Sequence, residues 1–252
     1  MSTATKNVKT WHTHFLRGLE PELNHALIIL NQPFSRQLFD RLWKSTTWRA
    51  CADGGANRLF DTLGNDVDRA RFLPDLIKGD LDSIRPDVVQ YYQDLGVPVV
   101  KDDCQDSTDL MKCVSALEAK ESSEGGKQYN IVFLGGLSGR LDQTAHVLSY
   151  LQKLRNKRQR VFVVTDDNVG WVLDEGEHEI KIDHDLLGVT CGLLPFGVSS
   201  SIISTTGLRW NLTEQESSFD GLLSTSNHLI PGQDVWIKTS KVIWWTAELK
   251  NL

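Results

Sequence analysis

The feature that most constrains this chain is a change of rhythm near residue 167. Before it, continuous apolar runs alternate with stretches of helical spacing. Ala26-Leu27-Ile28-Ile29-Leu30 is apolar at every position, the pattern of a strand buried on both faces. Ser35 to Lys44 follows with Leu38, Phe39 and Leu42 on one helical face. Arg49 to Asp53, Leu76-Ile77, Val97 to Val100, Ile131 to Leu134 and Val161 to Val164 read as further strands. Ala56 to Leu63, Pro86 to Leu95, a segment capped by Ser107 or Thr108 and running through Glu121, and Leu141 to about Arg158 read as helices. Strand and helix repeated with short links predict a mostly parallel sheet covered on both faces.

After the change, helices are hard to find. Glu177 to Ile182, Val189 to Leu194, Ser200 to Thr205, Leu222 to Ser226, Val235 to Lys238 and Lys241 to Ala247 are short β-type runs. Turn signals such as Pro195-Phe196-Gly197 and Pro231-Gly232 separate them, so a β-sandwich is expected. The fold class is therefore α/β followed by all-β. A polar extension (1–24) precedes an α/β domain (25–167) and a β-sandwich domain (168–252).

Composition excludes several functions. With 27 basic and 33 acidic residues the net charge is −6, which argues against a nucleic-acid binder held by a broad basic face. No apolar run approaches the roughly 18 residues that span a bilayer, and the first twenty residues lack the hydrophobic segment of a secretory signal. Cys51, Cys104, Cys113 and Cys191 lie far apart, as reduced thiols of a cytoplasmic protein do. The basic stretch from Lys153 to Arg160 reads as a solvated helix end.

The chemistry is expected at the carboxyl ends of the parallel strands, where open α/β sheets bind their ligands. Four such ends carry unusual residues: Asp53-Gly54-Gly55-Ala56-Asn57-Arg58, Gly79-Asp80-Leu81-Asp82-Ser83, Gln105-Asp106-Ser107-Thr108-Asp109, and Gly135 through Gln143. Asp80 and Asp82 stand two apart, so in an extended segment both carboxylates point the same way. Two such anions invite a hard cation, Mg²⁺ above all, and Asp109 at the same edge completes the set. The glycine pairs let a backbone approach phosphate, although neither is a Walker A loop or G-x-G-x-x-G. Lys112 and Arg140 offer positive charge to a polyphosphate.

Taken in this order, with Thr205-Thr206-Gly207-Leu208-Arg209-Trp210-Asn211-Leu212 and Ser224-Thr225-Ser226-Asn227, these motifs resemble the eukaryotic thiamin pyrophosphokinase family from about Ala26 onward. Leu81 stands where many relatives carry Phe, and Cys104 interrupts a more acidic stretch, but neither change removes a carboxylate. The resemblance implies transfer of the terminal pyrophosphoryl unit of ATP to the hydroxyethyl oxygen of thiamine, giving thiamine diphosphate and AMP. It implies a homodimer whose sites lie between the α/β domain of one subunit and the β domain of the other. Asp80, Asp82 and Asp109 are then the expected catalytic and Mg²⁺-holding residues. ATP is expected against Asp53, Gly54, Gly55, Asn57 and Lys112, with Leu137, Ser138, Gly139, Arg140 and Asp142. Thiamine is expected against Gln105, Ser224, Ser226, Asn227 and Trp210. Two other functions compete: a metal-dependent nucleotide-sugar transferase built on the D-x-D pattern, and a non-catalytic thiamine or nucleotide sensor.

Overall fold

A computed structural model describes residues 8–19 and 24–250. In chain order its elements are β1 (Lys9–Trp11), a 3-10 turn (His14–Arg17), β2 (His25–Ile29), α1 (Arg36–Lys44), β3 (Trp48–Ala52), α2 (Gly55–Leu63), α3 (Asp66–Arg71), β4 (Leu76–Gly79), α4 (Pro86–Asp94), β5 (Val99–Lys101), α5 (Asp109–Ser123), β6 (Asn130–Leu134), α6 (Leu141–Leu154) and β7 (Val161–Val164). Only strands follow: β8 (Asn168–Leu173), β9 (Gly176–Ile180), β10 (Leu187–Leu194), β11 (Ser201–Thr206), β12 (Gln215–Ser217), β13 (Ser224–His228), β14 (Val235–Thr239) and β15 (Ile243–Leu249). The described residues divide into two compact units. One holds residues 15–147 and 157–166, the other residues 8–14, 148–156 and 167–250.

In the first unit the strands run parallel in the order β5-β4-β3-β2-β6-β7. The chain steps outward from β2 to β5, then returns to place β6 on the other side of β2. The topological switch point, where such sheets open a crevice, therefore lies between β2 and β6. The continuous apolar runs do what their pattern dictates: Ala26 to Ile29, Ile131 to Leu134 and Val163-Val164 are buried. Helix α1 starts where Ser35 Oγ accepts the Leu38 N–H at 3.2 Å, and it buries Leu38, Phe39, Leu42 and Trp43.

The second unit contains two sets of strands, ordered β1-β9-β14-β11-β12 and β13-β10-β15-β8. Their pairings are antiparallel except β1 with β9, where Trp11 stands opposite Ile180. Trp11 stacks on Trp171 of β8 with ring centroids 5.6 Å apart, so an aromatic pair joins the two sets across a shared core. The Trp11 indole N–H also donates to His178 Nδ1 at 3.1 Å.

Several elements differ from expectation for physical reasons. Helix α3 buries no side chain, so no apolar period announces it; Asn65 Oδ1 caps it by accepting the Asp68 N–H at 3.0 Å. Helix α6 stops at Leu154, and Arg158 is buried rather than solvated, its Nη1 donating to both oxygens of Glu121 at 2.6 Å. Of the stretch 1–24, residues 1–7 and 20–23 lie outside the described residues, while Lys9–Trp11 form a sheet strand.

Candidate active site

Three carboxylates meet at the carboxyl edge of the parallel sheet. β3 ends at Ala52 and delivers Asp53, β4 ends at Gly79 and delivers Asp80, and Asp109 opens α5. One oxygen from each lies within 4.8 Å of the others. Asp109 Oδ1 accepts the Asp80 N–H at 3.1 Å and the Lys112 ammonium at 3.3 Å. Asp53, only 2% exposed, accepts the Ser83 N–H at 3.0 Å and the Ile84 N–H at 3.2 Å. Burial pushes its carboxyl above the usual aspartate range, those two amides pull it back, and the charge of Asp109 pushes it up again. Gly79 makes the convergence possible: a Cβ there would stand 2.6 Å from Asp53 Cβ and 2.9 Å from Asp109 Oδ1. An oxygen-only set of three acids, with one buried ammonium among them, has the donor chemistry of a hard divalent cation such as Mg²⁺.

Asp82 stands outside this group. The expectation that Asp80 and Asp82 point the same way needs an extended segment, but β4 stops at Gly79 and Leu81 has φ 62°, in the left-handed region. The resulting turn brings the Asp82 N–H back onto Asp80 Oδ1 at 3.1 Å. The exposed Asp82 carboxylate accepts the Ser83 hydroxyl at 2.8 Å. The residue that joins Asp80 and Asp109 is Asp53, because β3 and β4 are neighbours and their ends lie side by side.

Both glycine turns sit at strand ends. Gly54 and Gly55 open α2, where a side chain on Gly55 would strike the Ile29 carbonyl. Asn57, on the same turn, is engaged with the chain beyond Asp82: its Nδ2 donates to the Ser83 carbonyl at 2.9 Å and its Oδ1 accepts the Arg85 N–H at 3.0 Å. The second turn follows β6 and is clamped by Gln32, just beyond β2. Gln32 Oε1 accepts from the Gly136 N–H at 2.7 Å, the Ser138 N–H at 3.3 Å and the Ser138 hydroxyl at 3.0 Å, and its amide nitrogen donates to the Ser138 carbonyl. Leu137 is half-buried, Ser138, Gly139 and Arg140 are exposed, and Arg140 pairs with Asp142 at 2.6 Å. Gln32 carries one signal in the sequence, a place at the carboxyl end of a strand beside the switch point. His146 carries none, lying inside a helix with no distinctive spacing. Thr108 occupies the cap position of α5 but makes no side-chain cap bond; its hydroxyl lies 2.9 Å from His146 Nε2.

The remaining expected residues are placed as follows. Gln105 is exposed beside the acidic edge, and its Nε2 donates to the Asp103 carbonyl at 3.2 Å. In the second unit, buried Asn227 grips the backbone of Trp210: Oδ1 accepts the Trp210 N–H at 3.2 Å and Nδ2 donates to the Trp210 carbonyl at 2.8 Å. The Trp210 ring is 52% exposed, tilted on His228 at 4.9 Å, with the Arg209 guanidinium 4.8 Å over it. Ser224 is buried, and Ser226 is exposed at φ 55°.

A parallel α/β sheet with carboxylates converging at its rim, joined to a strand-rich unit, is the architecture of an α/β protein with a candidate site at its strand ends. The chain belongs to the thiamin pyrophosphokinase family. Residues 39–163 match the model of the thiamin pyrophosphokinase catalytic domain, and residues 177–244 match that of the vitamin B1 binding domain. Thiamine pyrophosphokinase 1 of Oryza sativa subsp. japonica is 39% identical over 236 residues, 90% of this chain and 88% of that one. Thiamine pyrophosphokinase of Saccharomyces cerevisiae is 30% identical over 274 residues, covering 90% and 86%. The crystal structure of yeast thiamin pyrophosphokinase matches with TM-score 0.86 at 27% identity, over 100% of this chain and 94% of that one. Thiamin pyrophosphokinase from Candida albicans shares the fold, with TM-score 0.85 at 24% identity over 99% and 95%.

Proposed function

We propose that this enzyme transfers the terminal diphosphoryl group of ATP to the hydroxyethyl oxygen of thiamine, releasing AMP. The observation that carries the reading is the convergence of Asp53, Asp80 and Asp109 at the sheet rim in a chain of this family. Residues 25–167 are assigned to ATP and residues 168–252 to thiamine, in a homodimer of the cytoplasm. No helix among the described residues is long and apolar enough to cross a membrane.

In-line attack of a primary alcohol on the β-phosphorus asks little covalent work of the protein; it asks for alignment and for compensation of charge. Asp53, Asp80 and Asp109 would hold Mg²⁺, which when bound offsets negative charge on the polyphosphate and its leaving group. Lys112, 3% exposed, holds Asp109 in place through its ion pair and adds positive charge behind it. The clamped loop of Leu137 to Arg140, with Asp142, and the Gly54-Gly55 turn, with Asn57 bracing it, line the nucleotide. Arg140 is exposed and free to exchange Asp142 for a phosphate. As the new oxygen–phosphorus bond forms and the bond from the β-phosphorus to AMP breaks, the alcohol proton must leave. Asp82 is the acceptor we assign, because it is exposed while Asp109 is already bonded to Asp80 and Lys112. Trp210 offers the thiamine rings an aromatic face, and Gln105, Ser224, Ser226 and Asn227 offer polar groups around them.

The test is incubation with ATP, Mg²⁺ and thiamine, with nucleotide products resolved. Formation of thiamine diphosphate and AMP in equal amounts is expected; ADP as the nucleotide product, or turnover only with a nucleotide sugar, overturns the reading. Asp80→Asn and Asp109→Asn should each lower turnover by at least about 100-fold while far-ultraviolet circular dichroism stays unchanged.

A further inference from the structure

Thr108 has the backbone of a helix cap, with φ −78° and ψ 164°, yet its hydroxyl does not bond to the first turn of α5. A Thr in this position ordinarily accepts a free N–H of that turn, a bond that stabilises the helix end. Here the hydroxyl is diverted to His146 Nε2, 2.9 Å away and 38 residues on. The turn that Thr108 opens carries both Asp109 and Lys112, and the Thr108 carbonyl accepts the Lys112 N–H at 2.9 Å. Asp109 in turn receives the Asp80 N–H and the Lys112 ammonium. The orientation of one helical turn therefore sets the Asp109 carboxylate and the Lys112 ammonium paired with it. His146 lies in the second turn of α6, and α6 begins directly after the loop that Gln32 clamps. A single side-chain contact thus ties the acidic rim to the helix that leaves the second glycine loop.

We propose that His146 is a positioning residue for the metal-holding carboxylates: its bond to Thr108 holds the first turn of α5 so that Asp109 stays aimed at Asp53 and Asp80. This role rests on the assignment of those carboxylates to a divalent cation. Partners that orient a metal ligand commonly govern affinity without touching the metal. Gln can serve the same contact, because its amide group both donates and accepts at about the reach of a histidine Nε2. His146→Gln should therefore preserve what His146→Leu removes.

The experiment titrates Mn²⁺ alone onto the full chain by calorimetry, with no nucleotide present. Against wild type, His146→Leu should bind roughly three- to ten-fold more weakly, less than the 10–100-fold typical of a group bonded directly to a ligand. His146→Gln should restore most of the affinity. Thr108→Val should weaken binding in the same direction as His146→Leu, and the double variant should lose less than the sum of the singles, since both remove the contact the two side chains share. In turnover, His146→Leu should lower kcat with the KM for thiamine unchanged. Wild-type affinity in both His146→Leu and Thr108→Val, or losses that add in the double variant, overturns the role. Wild-type chain that binds no Mn²⁺, or binds it undiminished in Asp80→Asn, overturns the metal assignment and this role with it. Should His146→Leu lose its cooperative thermal transition, Thr108→Val and His146→Gln decide.

Discussion

Single residues separate what a sequence pattern can promise from what a backbone delivers. Asp80 and Asp82 satisfy the spacing rule for two carboxylates on one side of a strand, and the positive φ of Leu81 cancels it. Asp53 was legible as a strand-end acid beside glycine, yet its partnership with Asp80 depends on β3 lying next to β4, which no local pattern states. The two aspartates should consequently behave differently. Asp53→Asn is expected to weaken Mn²⁺ binding as strongly as Asp80→Asn does. Asp82→Asn is expected to keep the metal affinity and lose rate, by about 10²–10⁴-fold if it accepts the alcohol proton. Metal titration beside single-turnover kinetics reads both. Asn227 adds a bond the spacing does not announce: the amide proposed for thiamine also holds the Trp210 backbone.

Most elements that bury a face were legible; β8, buried from Val169 to Leu173, is an exception, lying where the rhythm changes. β2, β6, β7 and α1 follow their apolar patterns closely, whereas α3, with no buried side chain, left no pattern to read. The ties between elements are polar and equally silent in sequence. Arg85, at the cap of α4, grips Asp61 of α2 with two bonds of 2.7 and 2.9 Å, and this holds the Asp61 carboxyl below the usual aspartate range. A carboxyl lowered in the folded chain favours folding above its unfolded value and loses that contribution as pH falls through the folded one. Asp61→Asn should therefore flatten the decline of stability between about pH 5 and pH 2, read as urea midpoints at each pH. The exposure of the pair keeps the effect small. The Glu121–Arg158 pair is the opposite case, since both side chains are buried and Glu121 also receives the Tyr129 N–H at 2.7 Å. Arg158→Met should cost about 3–5 kcal/mol by stranding a buried carboxylate, and adding Glu121→Gln should return part of it. Denaturant titration of the single and double variants checks both.

At the scale of the whole molecule, the sequence showed two kinds of rhythm but not that one unit is assembled from both sides of the other. Residues 8–14 group with residues 167–250, because β1 pairs with β9 and Trp11 lies against Trp171 and His178. A three-residue strand within a polar stretch has too short a pattern to stand out, and its register is set by a partner far along the chain. Trp11→Ala should cost about 3–5 kcal/mol, the usual loss for a buried aromatic. It should lower the unfolding transition followed by tryptophan fluorescence while leaving Mn²⁺ affinity at the carboxylates unchanged. The same pairing has a consequence for biosynthesis. Trp11 leaves the ribosome 167 residues ahead of His178. At roughly 5–20 residues per second the interval is about 8–33 s. The parallel sheet, complete once Val164 has emerged, can close within that interval while the leading strand still waits for its neighbour. Among the described strands, β1 waits longest for the partner it pairs with, and a chaperone has that interval to find it.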